Sequence, residues 1–204
     1  MPGEPRIRLS PTERKARIDE AATRLFAGRG YAATTVDEIA REAGVTKPML
    51  YRHYESKRDL CVALLERYRA ELVAAPLGQF DPSSDSPQDG LVPMLEAWLL
   101  HVRAHPDAAR LLLRPISGDA EVEEIQRELH GRQRATQVAL LREFLPELSA
   151  ADAEPLGEIV RSSLTAMAMW WLDRPDVPLD VPTRALATTV RGIFAVAPQP
   201  RTER

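Results

Sequence analysis

The amino-acid sequence predicts an all-α fold of about nine helices in two parts, and three observations carry that prediction. Apolar residues recur three and four positions apart along most of the chain, which is the spacing of one helix face. Several of these stretches open with Ser or Thr followed three residues later by Glu or Asp, the hydrogen-bonding signature of a helix start. No stretch shows a convincing strand alternation. With 204 residues, 44% of them hydrophobic, the chain can core one large or two small domains.

The first helix starts at Ser10, Pro11 and Glu13, a cap, a first-turn proline and a capping partner. Ile18, Ala21, Ala22, Leu25 and Phe26 form its apolar stripe, which ends near Gly28 and Gly30. Thr35 and Glu38 make a second capping box, so a short helix begins at Val36 and buries Val36, Ile39, Ala40 and Ala43. Gly44 ends it, since only glycine takes the left-handed conformation at little steric cost. Thr46 opens the next helix, with Pro48 in its first turn, and the run continues to Tyr54. Glu55 and Ser56 interrupt it, and Ser56 with Asp59 caps a long strut carrying Leu60, Cys61, Leu64, Leu65, Tyr68 and Leu72 to about Ala75.

Residues 76–90, rich in Pro, Gly, Ser and Asp, predict an exposed loop. Beyond it the pattern predicts helices over Leu91–Ala104, from Pro106 through Leu113, about Ala120–Leu145 and Ala150–Asp173, and a last one ending near Ala197. The stretch LTAMAMWWL, residues 164–172, carries no charge on any side, so it calls for cover from two directions.

The most specific signal lies in residues 35–57. Ala40, Gly44 and Leu50 stand where two steeply crossing helices must approach, turn and close a minimal core, which is a helix-turn-helix. Removing the inward Val45, Leu50 and Tyr54 leaves Thr46, Lys47, Met49, Tyr51, Arg52 and His53 as the outward face of the second helix. That set is rich in donors for phosphates and base edges.

On the AATRLFAGRGYAATTVDEIAREAGV run, the K-x-x-LYRHY helix and the following SKRDL, the block from Arg17 to Leu65 resembles the amino-terminal domain of the TetR (tetracycline repressor) family of bacterial transcriptional regulators. The resemblance covers about a quarter of the chain closely; the rest agrees in length and helical character. It departs at Pro48 and Met49, where small residues such as Gly and Thr are common in that family. The resemblance implies that Thr35 and Lys57 touch phosphates, with Tyr51 and His53 doing likewise. Thr46, Lys47, Met49 and Arg52 then sit nearer the groove floor, Met49 against a thymine methyl and Lys47 or Arg52 at a guanine edge. A solvated or intramolecular role is the alternative for each.

A reader of this kind needs two recognition helices about 34 Å apart, so a homodimer on a double-stranded DNA operator with an inverted repeat is expected. The last two helices, with their unpaired apolar sides, are the expected interface. The domain organisation is therefore 1–60, a helix-turn-helix DNA-binding domain with a basic amino-terminal arm; 61–197, a helical ligand-binding and dimerisation domain; and 198–204, a disordered tail.

Charge divides the same way. Residues 1–60 hold 12 Lys and Arg against 9 Asp and Glu, a net of +3, while the remainder carries −6. Arg6, Arg8, Arg14, Lys15 and Arg17 lead the chain as either a solvated tail or a DNA-touching arm.

In the second part, Met94, Trp98, His101, Met167 and Trp171 are the candidate lining of a cavity for a small apolar effector, although core packing explains the same residues. His101 and His105 have metal-ligand spacing but no third ligand with a motif, so no metal and no cofactor is expected. The single cysteine, Cys61, reads as a small buried hydrophobe in a reducing compartment. With no secretory segment and no apolar run long enough to span a bilayer, a cytoplasmic protein without membrane contact is expected. No nucleophile motif, phosphate loop or paired-carboxylate pattern points to an enzyme. The expected activity is ligand-responsive transcriptional regulation, most simply repression; the alternative is a nucleoid-associated protein that binds DNA without answering to a ligand.

Overall fold

The computed structural model describes residues 10–146 and 148–196. The leading residues with Arg6 and Arg8, and the expected tail over 198–204, lie outside them. The described residues form ten helices and no strand.

Local chemistry sets the first four. Helix α1 (Pro11–Arg29) begins where the Ser10 hydroxyl accepts from the Glu13 amide at 3.2 Å and the Glu13 carboxylate accepts from the Ser10 amide at 2.6 Å. Helix α2 (Val36–Ala43) starts on the same reciprocal pair between Thr35 and Glu38. Its end is Gly44, at φ 66° and ψ 30°, the left-handed conformation that turns the chain into α3 (Lys47–Tyr51). Helix α4 (Lys57–Ala74) starts at Ser56, whose hydroxyl accepts from the Asp59 amide.

These four close on one another through Ile18, Ile39, Leu50, Leu60 and Leu64, which are sealed from solvent. The same apolar core continues without a break along α4 into the second part, taking in Leu99, Val102, Leu112, Val122, Leu129 and Ala168. Helix α4 thus runs through the expected boundary at residue 60, with Leu60 and Cys61 in one half of the core and Leu72 in the other.

The loop expected over 76–90 is only partly a loop. Ser86 caps a short helix, α5 (Pro87–Gly90), and the Phe80 ring folds back to lie 5.2 Å from that of Phe144. Burying that aromatic ring is what draws the segment inward. Then come α6 (Val92–Ala104), α7 (Pro106–Leu113), α8 (Ala120–Phe144), α9 (Ala150–Leu172) and α10 (Asp180–Val196). The short 145–149 connection sets α8 and α9 side by side. A smaller apolar cluster of Leu141, Leu148, Ala153 and Ile193 ties the far end of this pair to α10.

The α7–α8 connection docks on the first part of the molecule. Gly118 stands there at φ 95°, where an added Cβ would fall 2.6 Å from that of Ala32. None of the helices among the described residues is long and apolar enough to cross a membrane.

Candidate nucleic-acid interface and effector cavity

The recognition helix is held from behind. Leu50 is fully buried, and its carbonyl accepts from the amides of His53 and Tyr54, carrying the helical turn past Tyr51. Tyr54 points inward, where its hydroxyl donates to Asp19 and receives a bond from Lys15 at 2.6 Å. Asp19, in α1 and 3% exposed, also accepts from Lys15 at 3.0 Å and from Arg67 of α4 at 2.5 Å. One carboxylate therefore ties together α1, the end of the recognition helix and α4. Burial, followed by the hydrogen bond to Asp19, pushes the Tyr54 hydroxyl up to about 12.

The opposite side of α3 is open. Thr46 is exposed and its hydroxyl caps nothing. Lys47 is exposed and pairs with the still more exposed Asp37 at 3.0 Å, a contact that solvent screens and a phosphate can replace. Tyr51 is 45% exposed, Arg52 is exposed, and Met49 and His53 are half-buried beside them. The outward set expected from sequence thus shares one accessible surface. Thr35, also exposed, keeps its hydroxyl on the Glu38 carboxylate. Lys57 is turned inward: its ammonium donates to the carbonyls of Tyr31 and Thr34 at 3.0 Å each and lies 4.1 Å from the Tyr31 ring centroid. Two of its three donors thus brace the turn before α2.

A second clamp went unread in the sequence. Asp119, the cap of α8, accepts from the Arg58 guanidinium at 3.0–3.2 Å and from the Tyr31 hydroxyl at 3.3 Å. Arg58 also pairs with Glu121 at 2.7 Å. The Arg58 guanidinium, ahead of the backbone amide of Val122, holds the Asp119 carboxyl below its usual range. Arg58 and Asp119 are 61 positions apart, so no local pattern announces the pair.

The second part holds a half-open cavity of about 430 Å³ between the end of α4, α6, the second half of α8, α9 and α10. Met94 and Trp98 line it as expected, joined by Leu72, Leu140, Phe144 and Phe194 among others. His101, Met167 and Trp171 do not reach it, which corrects the expected lining. Trp171 is buried on the other side, its indole N–H donating to the Val177 carbonyl at 2.8 Å with the Arg103 guanidinium 3.7 Å from its ring. Met167 packs on the main core. His101 stacks near His105, ring centroids 4.7 Å apart, and burial lowers its pKa. No group of three metal-ligating side chains occurs among the described residues.

A helix-turn-helix with an open recognition face, joined by one continuous core to a helical part that holds a half-open apolar cavity, defines a DNA-binding regulator. Comparison with known proteins makes this specific. Residues 18–64 match the family described as bacterial regulatory proteins, tetR family. The chain is 33% identical over 164 residues to the HTH-type transcriptional repressor SCO4008 of Streptomyces coelicolor, covering 78% of this chain and 79% of that protein. It is 41% identical over 81 residues to the HTH-type transcriptional activator FasR of Mycolicibacterium smegmatis, a match spanning 40% of this chain and 37% of that one. A TetR-like transcriptional regulator from Rhodococcus sp. RHA1 superposes with a TM-score of 0.75 at 27% identity, over 93% of this chain and 100% of its own. The chain belongs to the TetR family of bacterial transcriptional regulators, a non-enzymatic class of DNA-binding proteins.

Proposed function

We propose that this regulator is a repressor that binds a palindromic operator as a homodimer and is released when a small apolar effector fills the cavity. The carrying observation is that α4 and α8 each run from the cavity to residues that brace the reading unit. Leu72 and Val73 of α4 line the cavity while its first residue, Lys57, holds the turn before α2. Residues 133–144 of α8 line the cavity while its cap, Asp119, holds Arg58 and Tyr31. A ligand that prefers one spacing of these helices shifts the reading unit by its differential affinity for the two states. That coupling favours a ligand-responsive regulator over a ligand-independent DNA binder.

The dimer reading rests on the outer sides of α9 and α10. Ile159 and Trp170 are 49% and 38% exposed, and small residues Ala166, Ala185, Gly192 and Ala195 are exposed along the same two helices. An exposed apolar face on paired helices suits a second copy. Repression is supported by the relative matched over most of its length, which carries that name.

In this reading Thr46, Lys47, Met49 and Arg52 meet base edges, and Thr35, Tyr51, His53 and Lys57 meet the phosphate backbone, Lys57 through its remaining donor. The test begins with genomic footprinting of the tagged protein to obtain the operator. Tyr51→Ala is then expected to weaken binding by about tenfold or more in gel-shift titration, to a similar degree on every sequence, through loss of roughly 1.5–3 kcal/mol for a hydrogen bond to a charged phosphate. Its thermal midpoint should move little, because nearly half of the side chain already faces solvent. An unchanged operator affinity removes Tyr51 from the interface.

A further inference from the structure

We infer that Asp37 reads DNA sequence together with Lys47, the two side chains sharing one G·C base pair: Lys47 donates to the guanine and Asp37 accepts from the cytosine amine. This rests on reading Lys47 as a base contact, and adds an acidic partner and the base pair that the two select.

Asp37 belongs to the outward surface by position. It lies in the first turn of α2, two residues after Thr35, and its carboxylate is 3.0 Å from the Lys47 ammonium. The other acids of α2 are held elsewhere: Glu38 accepts from Thr35 and Arg29, and Glu42 pairs with Arg24 of α1. Among the described residues Asp37 bonds to Lys47 alone, through one oxygen, and its side chain is 71% exposed. Phosphates repel a carboxylate on such a surface, so its favourable partner on DNA is a base that offers a donor. In the major groove those donors are the amines of cytosine and adenine.

Complementarity chooses between them. In a G·C pair the guanine O6 acceptor and the cytosine N4 donor are bonded to each other about 2.9 Å apart, which matches the 3.0 Å between the Lys47 nitrogen and the Asp37 oxygen. Lys47 keeps two donors beyond the one on Asp37, enough for guanine O6 and N7, and Asp37 keeps its second oxygen for the cytosine amine. A T·A pair also sets an acceptor beside a donor. In that order, however, the thymine methyl falls beside the ammonium, and adenine N7, an acceptor, falls beside the carboxylate. The ion pair therefore stays intact on G·C, whereas a phosphate has to displace the carboxylate to reach Lys47.

The experiment enriches duplexes from a randomised pool with the intact protein, then titrates the enriched duplex by gel shift with each dC of one half-site replaced in turn by N4-methyl-dC. That base keeps its pairing hydrogen and carries a methyl group in place of the groove-facing one. At one position the replacement should weaken the unaltered protein about tenfold and Asp37→Ala by less than about twofold. The alanine variant should melt like the unaltered protein, because the side chain it removes is mostly solvated. A cost equal in both proteins at every position overturns the inference. So does an Asp37→Ala variant that binds every duplex more tightly while enriching the same sequence, which would make the carboxylate only a brake on Lys47. Lys47→Ala binding the enriched duplex as tightly as the unaltered protein removes Lys47 from the groove, and a pool in which no sequence is enriched removes operator reading itself; either takes the inference with it.

Discussion

Replacing Asp19 with Asn is expected to loosen the reading unit from behind without touching its DNA-facing side. The carboxylate is 3% exposed and accepts from Lys15, Tyr54 and Arg67, which belong to α1, the end of the recognition turn and α4. Hydrogen bonds to a charged partner contribute about 1.5–3 kcal/mol each. That full sum does not apply here, because the Lys15 and Arg67 side chains are 47% and 40% exposed and regain water when released. The amide keeps one acceptor oxygen but turns a donor toward two cations. A net loss of about 2 kcal/mol follows, which for a chain of this size lowers the melting midpoint by about 4–8 °C.

Circular-dichroism melting and urea titration measure the loss, and a double-mutant cycle with Tyr54→Phe isolates the pair, for which a coupling of about 1 kcal/mol is expected. Stability within about 0.5 kcal/mol of the unaltered protein, the size of an ordinary surface substitution, would refute the view that this carboxylate joins the three elements.

Two further predictions concern the assembly and the buried protons. Trp170→Glu puts a charge on the exposed apolar side of α9 and should give a monomer by sedimentation at concentrations where the unaltered chain is a dimer; an unchanged mass for both argues against an interface on the last two helices. Burial pushes the Cys61 thiol up from about 9, and the Tyr31 and Tyr54 hydroxyls up from about 10, to about 12 in each case. The folded chain therefore holds protons that the unfolded chain releases, so this stability is complete below pH about 9 and is lost as pH rises toward about 12. A urea midpoint that does not fall across that window, or native Cys61 that alkylates readily near neutral pH, contradicts the burial described.

What could be read from the sequence was short-ranged. The caps at Ser10 and Thr35 and the turn at Gly44 each involve residues within a few positions, so these starts and this corner were legible, while the second helix, expected to run to Tyr54, ends at Tyr51 and continues as a turn. Its outward face followed by subtraction once Leu50 and Tyr54 were set inside. Elements decided by distant partners were not legible. The inward fold of residues 80–90 depends on Phe144 and on the Arg191 guanidinium, which donates to Asp89 across 102 positions.

The cavity lining failed in part for a different reason. Helix α9 is apolar on every side near its end, so periodicity cannot say which side faces the cavity, which the core and which the outside. Leu164 faces the cavity, Ala168 and Trp171 the core, and Ala166 and Trp170 solvent, an assignment made by α6, α8 and α10 rather than by α9 itself. Charged residues would have broken that ambiguity, and this stretch has none.

The arrangement also explains why the clamps lie where they do. A reading unit joined to the second part only by apolar packing could slide, since such contacts have no preferred direction. The ion pair of Arg58 with Asp119, the Tyr31 hydroxyl on the same carboxylate and the Lys57 ammonium on two carbonyls are directional, and all three sit within the first turns of α4 and α8. Both helices then pass through rigid core to the cavity, where α4 contributes hydrocarbon and α8 contributes the polar side chains. In the proposed ligand response, a change in helix spacing at the cavity would reach the reading unit as a movement of these hydrogen-bond partners rather than as side-chain slippage. The Asp19 junction fixes Tyr54, at the close of the recognition turn, against α1 and α4, while the outer face of the turn stays free.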